Sequence, residues 1–206
     1  MLTLHFAPNT CALATLIVQE EFGLDYRLEP IDFGAGQQRS PAFLALNPKG
    51  RTPVLATPQG ALSETPALLD YLARLAGDLL PADPFDQTRR IAFSGYLCAT
   101  VHVAHAHRMR GYRWADDPAA WRAMQARVPA SVAEAFAVVE DWLAPGPLVM
   151  GETYSIGDPY LFTLAQWLEA DGVDPGRLPR VLSHRASVGA RPAVQRSLAL
   201  VEQLRR

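Results

Sequence analysis

The sequence has no excess of charge of either sign: 19 Lys and Arg stand against 21 Asp and Glu, a formal net charge of −2 over 206 residues. With a pI near 6.2 it offers a polyanion no general attraction, and its arginines are scattered apart from the short run Arg108, Arg110 and Arg113. Nucleic acid is therefore not an expected partner. Long apolar runs are missing as well, since charged residues interrupt each one well before the roughly 18 positions of a membrane span. The opening MLTLHFAPNT has neither a basic stretch nor a long apolar one, so neither membrane insertion nor export is expected. Cysteine is scarce, at Cys11 and Cys98 only, and a chain that is 49% apolar can bury a core without a disulfide staple. The expectation is a cytoplasmic protein in which a lone cysteine stays a thiol.

What is present divides into two patterns. Leu2, Leu4 and Phe6 alternate with Thr3 and His5 as in a strand, and Ala7-Pro8-Asn9-Thr10 breaks the alternation. Residues 11–22 have the spacing of an amphipathic helix, closed by Gly23, which places Cys11 near the helix start. A second strand is predicted over 26–33, parallel to the first because a helix intervenes. After the polar loop 34–40 come a short helix over 41–46, a turn at 47–53, and a strand over 54–57. Pro58-Gln59-Gly60 then folds Ala61-Leu62 back as a hairpin arm, and a helix over 66–76 completes a βαβαββα order. Beyond a linker at 77–84 the alternation stops, and long helices are predicted over about 84–112, 118–143, 156–170 and 190–204. The fold class is an α/β N-terminal domain over 1–78 followed by an all-α C-terminal domain over 84–206.

Three constellations carry chemistry. A thiol at a helix N-terminus meets free N–H groups and the positive end of the helix dipole, both of which favour thiolate, and Cys11 is placed there. Position 8 is Pro and position 14 is Ala, so no Cys-x-x-Cys cycle operates at this loop and any redox chemistry needs an external thiol. Thr52-Pro53 opens a strand, where a proline can hold a cis peptide and leave the backbone of Thr52 pointing outward to a peptide ligand. Ser63-Glu64-Thr65-Pro66 predicts Thr65 as helix N-cap and Pro66 as first helical residue, with Glu64 beside them able to accept from an ammonium group.

Cys98, His102 and His105 recur at i, i+4 and i+7 of a predicted helix, while His107 turns away. Two histidines a turn apart can chelate zinc or copper, but no nearby carboxylate completes such a set, and no metal is expected. Ser155-x-x-Asp158 has the form of a capping box with Tyr154 at the staple position, a structural signal.

Thr10-Cys11-Ala12-Leu13 after a first strand, Asn47-Pro-Lys-Gly-Arg-Thr-Pro-Val-Leu, and Glu64-Thr65 opening a helix before an all-helical half resemble the cytosolic glutathione transferases. A thiol in place of serine or tyrosine resembles the bacterial beta class. The resemblance implies a thioredoxin-like first domain that binds glutathione and a helical second domain for the electrophile and for a homodimer. It implies that the γ-glutamyl end of glutathione meets Glu64 and Thr65, that its cysteinyl backbone pairs with Thr52 ahead of cis-Pro53, and that its sulfur lies near Cys11. His102 matches the histidine of the first helix of the second domain and, with Cys11, is a candidate catalytic residue; His105 is a further candidate contact. Two positions depart from the pattern: Phe6 stands where tyrosine is frequent, and Gly36, Gln37 and Gln38 replace a basic residue. Gln37, Gln38 or Lys49 are the candidate substitutes for glutathione's glycine end. The implied function is conjugation of glutathione to small electrophiles, or their reduction by it. A thiol-disulfide oxidoreductase acting through Cys11 on disulfides, or a non-catalytic glutathione-binding protein, stands as the alternative.

Overall fold

The computed structural model describes residues 1–204. β1 (Leu2–Phe6) buries Leu2, Leu4 and Phe6 and leaves Thr3 and His5 half-buried, as its alternation predicts. It pairs in parallel with β2 (Tyr26–Pro30), in the register Leu2 to Tyr26 and Phe6 to Pro30. On its other side it runs antiparallel to β3 (Val54–Thr57), which forms a hairpin with β4 (Gly60–Ser63). The order across the sheet is β2-β1-β3-β4, so the strand that delivers the chain to Cys11 is central.

β2 stops at Pro30 and not at residue 33. Ile31 still donates to the carbonyl of Phe6 at 2.7 Å, but the Asp32 carboxylate then accepts the Ala35 N–H at 3.0 Å, and that turn ends the strand. α1 (Ala12–Phe22) closes at Gly23, whose φ of 59° lets its N–H reach Gln19 and Glu20 carbonyls. α1 is buried more widely than a simple amphipathic spacing predicts: Thr15 and Gln19 are buried together with Leu16, Ile17 and Val18, because α3 (Thr65–Ala76) and α9 (Pro192–Gln203) both pack on this helix. α2 (Pro41–Leu46) is capped by Ser40, which accepts the Phe43 N–H at 3.2 Å.

Helices make up the rest. α4 (Pro84–Tyr96) starts at Asp83, whose side chain accepts the N–H groups of Phe85 and Asp86. The predicted helix over 84–112 is not uniform: its turns widen to π geometry over Leu97–Val101 and α5 (His102–Ala106) ends it early. α6 (Pro118–Trp142) and α7 (Gly157–Ala165) follow. α7 stops short of the predicted 170. α8 (Pro179–Gly189) was not predicted, since its segment PRVLSHRASVG shows a sparse apolar pattern; only Val181, His184 and Val188 are buried.

By compactness the chain falls into Met1–Leu80 together with the described residues from Gly189 on, and Pro81–Val188. The last helix thus joins the α/β unit, where Arg191 pairs with Glu21 at 2.6 Å and Arg196 with Glu20 at 2.7 Å. Among the described residues no helix is long and apolar enough to cross a membrane.

Candidate active site

The loop between β1 and α1 is built around Thr10. Its hydroxyl donates to the Ala7 carbonyl at 2.7 Å and accepts the Ala12 N–H at 3.3 Å, so the helix starts directly after Cys11. Asn9, with φ at 58°, reverses the chain just ahead of it. Cys11 is 8% exposed, and its thiol points at the carbonyl of Thr52, with sulfur and oxygen 3.9 Å apart. Residues 41 positions apart in sequence are thereby brought to one place.

Thr52 is positioned by the turn before it. The buried Asn47 amide donates to the Arg51 carbonyl at 2.7 Å and accepts the Lys49 N–H at 3.2 Å. Gly50 has φ at 61°, and a Cβ there would meet the Gln38 carbonyl oxygen at 2.9 Å; only glycine fits this approach. The Thr52–Pro53 peptide is cis, Pro53 is buried, and β3 begins at once. The hydroxyl of Thr52 is buried without a partner.

At the start of α3 the cap is shifted by one residue from the prediction. The Leu68 N–H bonds to the Glu64 carbonyl at 3.0 Å, which makes Glu64 the N-cap, Thr65 the first helical residue and Pro66 the second. Glu64 holds φ at 76° and ψ at 113°, a strained conformation for a residue with a side chain and one that collects at ligand sites. Its exposed carboxylate pairs with Lys49 at 2.8 Å, and Lys49 also donates to the Ser63 hydroxyl at 2.7 Å. Thr65 is buried behind them. Gln37, in contrast, is exposed and uses its side-chain oxygen to accept the Asp32 N–H at 2.9 Å within its own loop.

In the helical unit His102 and His105 lie 6.3 Å apart by ring centroid. Trp167 joins both, stacked on His105 at 4.1 Å and edge-on to His102 at 5.4 Å. His107 instead meets Trp114 at 4.4 Å. Nδ1 of His105 sits 2.7 Å from the carboxylate of Asp171, so the carboxylate absent from the local sequence arrives from 66 residues away; no spacing rule could have found it. Among the described residues no three His, Cys, Asp or Glu side chains gather in a metal-binding group. Cys98 lies in the π segment, and neither it nor Cys11 is in a disulfide.

A mixed four-stranded sheet of βαβαββα order, with a cysteine at the start of its first helix and a cis-proline opening its third strand, is a thioredoxin-like fold, here followed by a helical region. Residues 2–74 match the family model described as glutathione S-transferase, N-terminal domain. A solved glutathione transferase homolog from Sulfitobacter, with bound glutathione, shares 42% identity, covers 95% of both chains and superposes with a TM-score of 0.91. Glutathione S-transferase GstA of Escherichia coli O157:H7 is 26% identical over 95% of this chain and 96% of its own. A bacterial beta class glutathione S-transferase from Sphingomonas chungbukensis is 25% identical over 97% of this chain and 98% of its own, with a TM-score of 0.84. The chain belongs to the glutathione transferase family.

Proposed function

We propose that the chain binds glutathione on its N-terminal unit and transfers it to small electrophiles, as a beta-class-like enzyme of the cytoplasm that works as a homodimer in detoxification. The observation that carries the reading is the convergence of the Cys11 thiol on the Thr52 carbonyl at the start of α1. The main chain of Thr52 ahead of Pro53 suits the peptide backbone of glutathione, and the first-turn N–H groups of α1 favour negative charge on a sulfur beside them. Glu64, with Thr65 and the helix start, suits the ammonium and carboxylate of the γ-glutamyl end. Lys49 and Gln37 are assigned to the glycine end. Residues 1–78 are assigned to glutathione, and residues 84–206 to the electrophile and the dimer contact. His102 is assigned to assist the sulfur, and His105 to glutathione.

Four measurements test this. Glutathione at millimolar concentration should raise the melting temperature, and the protein should conjugate dinitrochlorobenzene. If neither a stabilisation nor any conjugation or disulfide reduction is seen, the reading is wrong. Intact mass after treatment with oxidised glutathione separates the two chemistries of Cys11. An adduct lost in Cys11→Ser, together with loss of conjugation in that variant, makes Cys11 the reacting thiol of a thiol-disulfide oxidoreductase; retained conjugation makes it a neighbour of the glutathione sulfur. Binding without turnover across a wide electrophile and peroxide panel identifies a glutathione-binding protein.

A further inference from the structure

Lys49 and Glu64 both belong to the Met1–Leu80 unit and are assigned above to opposite ends of glutathione, yet in the structure they hold one another. Nζ of Lys49 lies 2.8 Å from Oε1 of Glu64 and donates to the Ser63 hydroxyl at 2.7 Å. Among the described residues the Glu64 carboxylate has no other side-chain partner. The backbones under the pair are fixed. The carbonyl of Glu64 accepts the Leu68 N–H at the start of α3, at 3.0 Å, and the N–H of Lys49 donates to the side chain of the buried Asn47 at 3.2 Å. The charged tips are not fixed in this way, because both side chains are exposed and an exposed pair contributes little. The ammonium of Lys49 also rides on a flexible four-carbon stem. A weak pair on rigid supports is one that a ligand can exchange without disturbing the fold.

We propose that the Lys49–Glu64 pair is a latch opened by exchange: the ammonium of the ligand replaces Lys49 on Glu64, and the released Lys49 takes the carboxylate at the glycine end. The inference rests on the glutathione reading of this site and adds a selection to it, because Lys49 couples the two ends of the ligand. When the ligand carries both charges, one ion pair breaks and two form. A ligand with the ammonium alone exchanges one pair for another, and so does a ligand with the carboxylate alone; neither adds a pair. Each charge therefore contributes more in the presence of the other. A ligand charged at both ends is favoured by more than its two ends measured separately, and one charged at a single end meets a competitor inside the site.

Calorimetric titration with three ligands tests the exchange: glutathione, its glycine ethyl ester, which lacks the glycine-end carboxylate, and glutaryl-cysteinylglycine, which lacks the ammonium. In Lys49→Met the affinity for glutathione should fall, while the ester should bind about two- to fivefold more tightly than to wild type, because Lys49 no longer competes for Glu64. Glu64→Gln should give the mirror image: glutathione weakens, and glutaryl-cysteinylglycine binds about two- to fivefold more tightly, because Lys49 is released in advance. The rise is the signature, since removing a side chain that only contacts the ligand does not strengthen binding. The exchange is overturned if either modified ligand fails to gain affinity in its variant, or if Lys49→Met strengthens glutathione as well, which would leave Lys49 a competitor alone. Wild type that binds none of the three ligands overturns the glutathione reading itself; glutathione bound by wild type without the two rises overturns the exchange only. Both substitutions change exposed side chains, and a variant that binds its ligand more tightly than wild type has kept its fold.

Discussion

Oδ1 of Asp158 lies 3.0 Å from Nε2 of His184, and neither side chain has exposed surface. The same carboxylate accepts the N–H groups of Val149 and Ser155, both at 2.8 Å, and the Ser155 hydroxyl at 3.1 Å. One side chain thus joins the bend at residues 148–151, the start of α7 and the middle of α8. Asp158→Ala leaves buried donors unmet at all three and should cost about 3–5 kcal/mol. For a chain of this size that lowers Tm by about 10 °C. Scanning calorimetry of the variant checks it, and a shift below about 2 °C would show that the network carries little of the stability.

Gly50 is a second point where geometry forces a residue type. With φ at 61° and the Gln38 carbonyl 2.9 Å from where a Cβ would stand, Gly50→Ala needs both a strained backbone and a displaced loop. A loss of about 1–3 kcal/mol is expected, readable as a lower urea midpoint. Because the turn carries Thr52, the affinity for glutathione should fall with it. A variant of unchanged midpoint would mean that the loop around Gln38 yields freely.

Lys49 separates stability from binding. Its pair with Glu64 is solvent-exposed, with side chains 42% and 57% accessible, so Lys49→Met should change folding stability by less than about 1 kcal/mol. Removing this charged donor should weaken binding by about tenfold or more if Lys49 meets glutathione as proposed. Calorimetric titration with glutathione and urea unfolding of the same variant give the two numbers. Equal affinity in the variant would remove Lys49 from the proposed site.

Elements whose signals are local were legible in the sequence. The alternation of Leu2, Leu4 and Phe6, the helix from Cys11 to Gly23 and the hairpin about Gly60 each rest on residues a few positions apart, and each stands in the structure within a residue or two. The N-cap of α3 missed by one because Thr65 and Pro66 suit a cap and a first position, while the hydrogen bond from Leu68 begins at Glu64. Features set by packing were not legible. Thr15 and Gln19 are polar residues of α1, yet both are buried where α3 and α9 pack on this helix. α8 carries too few apolar residues to show a period, and the widened turns at Leu97–Val101 leave no trace in residue type. Asp171 beside His105, and His184 beside Asp158, join positions 66 and 26 apart. At such separations only the fold reveals a pair.

Both limbs of the pH–stability profile follow from half-buried groups in the α/β and helical units. His5 is held below the ordinary histidine range chiefly by burial, with Arg27 adding to this and Glu29 opposing it; its ring lies edge-on to Phe43 at 6.0 Å. The fold keeps the imidazole neutral while the unfolded chain takes up a proton near about pH 6.5, so the unfolded state binds more protons below that pH. Stability is present above about 6.5 and is lost as pH falls below it. Tyr26 is pushed above the usual phenol range by burial, then by its hydrogen bond to Glu20 and the charge of Glu20, with Arg196 opposing. Tyr96, whose hydroxyl donates to the Ala135 carbonyl at 3.0 Å, is raised by burial. These phenols stay protonated in the fold, whereas the unfolded chain ionises near about pH 10. Their contribution is full below about pH 10 and disappears as pH rises through the folded values. Urea midpoints should therefore form a plateau from about pH 7 to about pH 10 and decline on both sides. His5→Asn should flatten the acid limb and leave the alkaline one, and Tyr26→Phe should do the reverse. An acid limb of the same slope in His5→Asn would assign it to other groups.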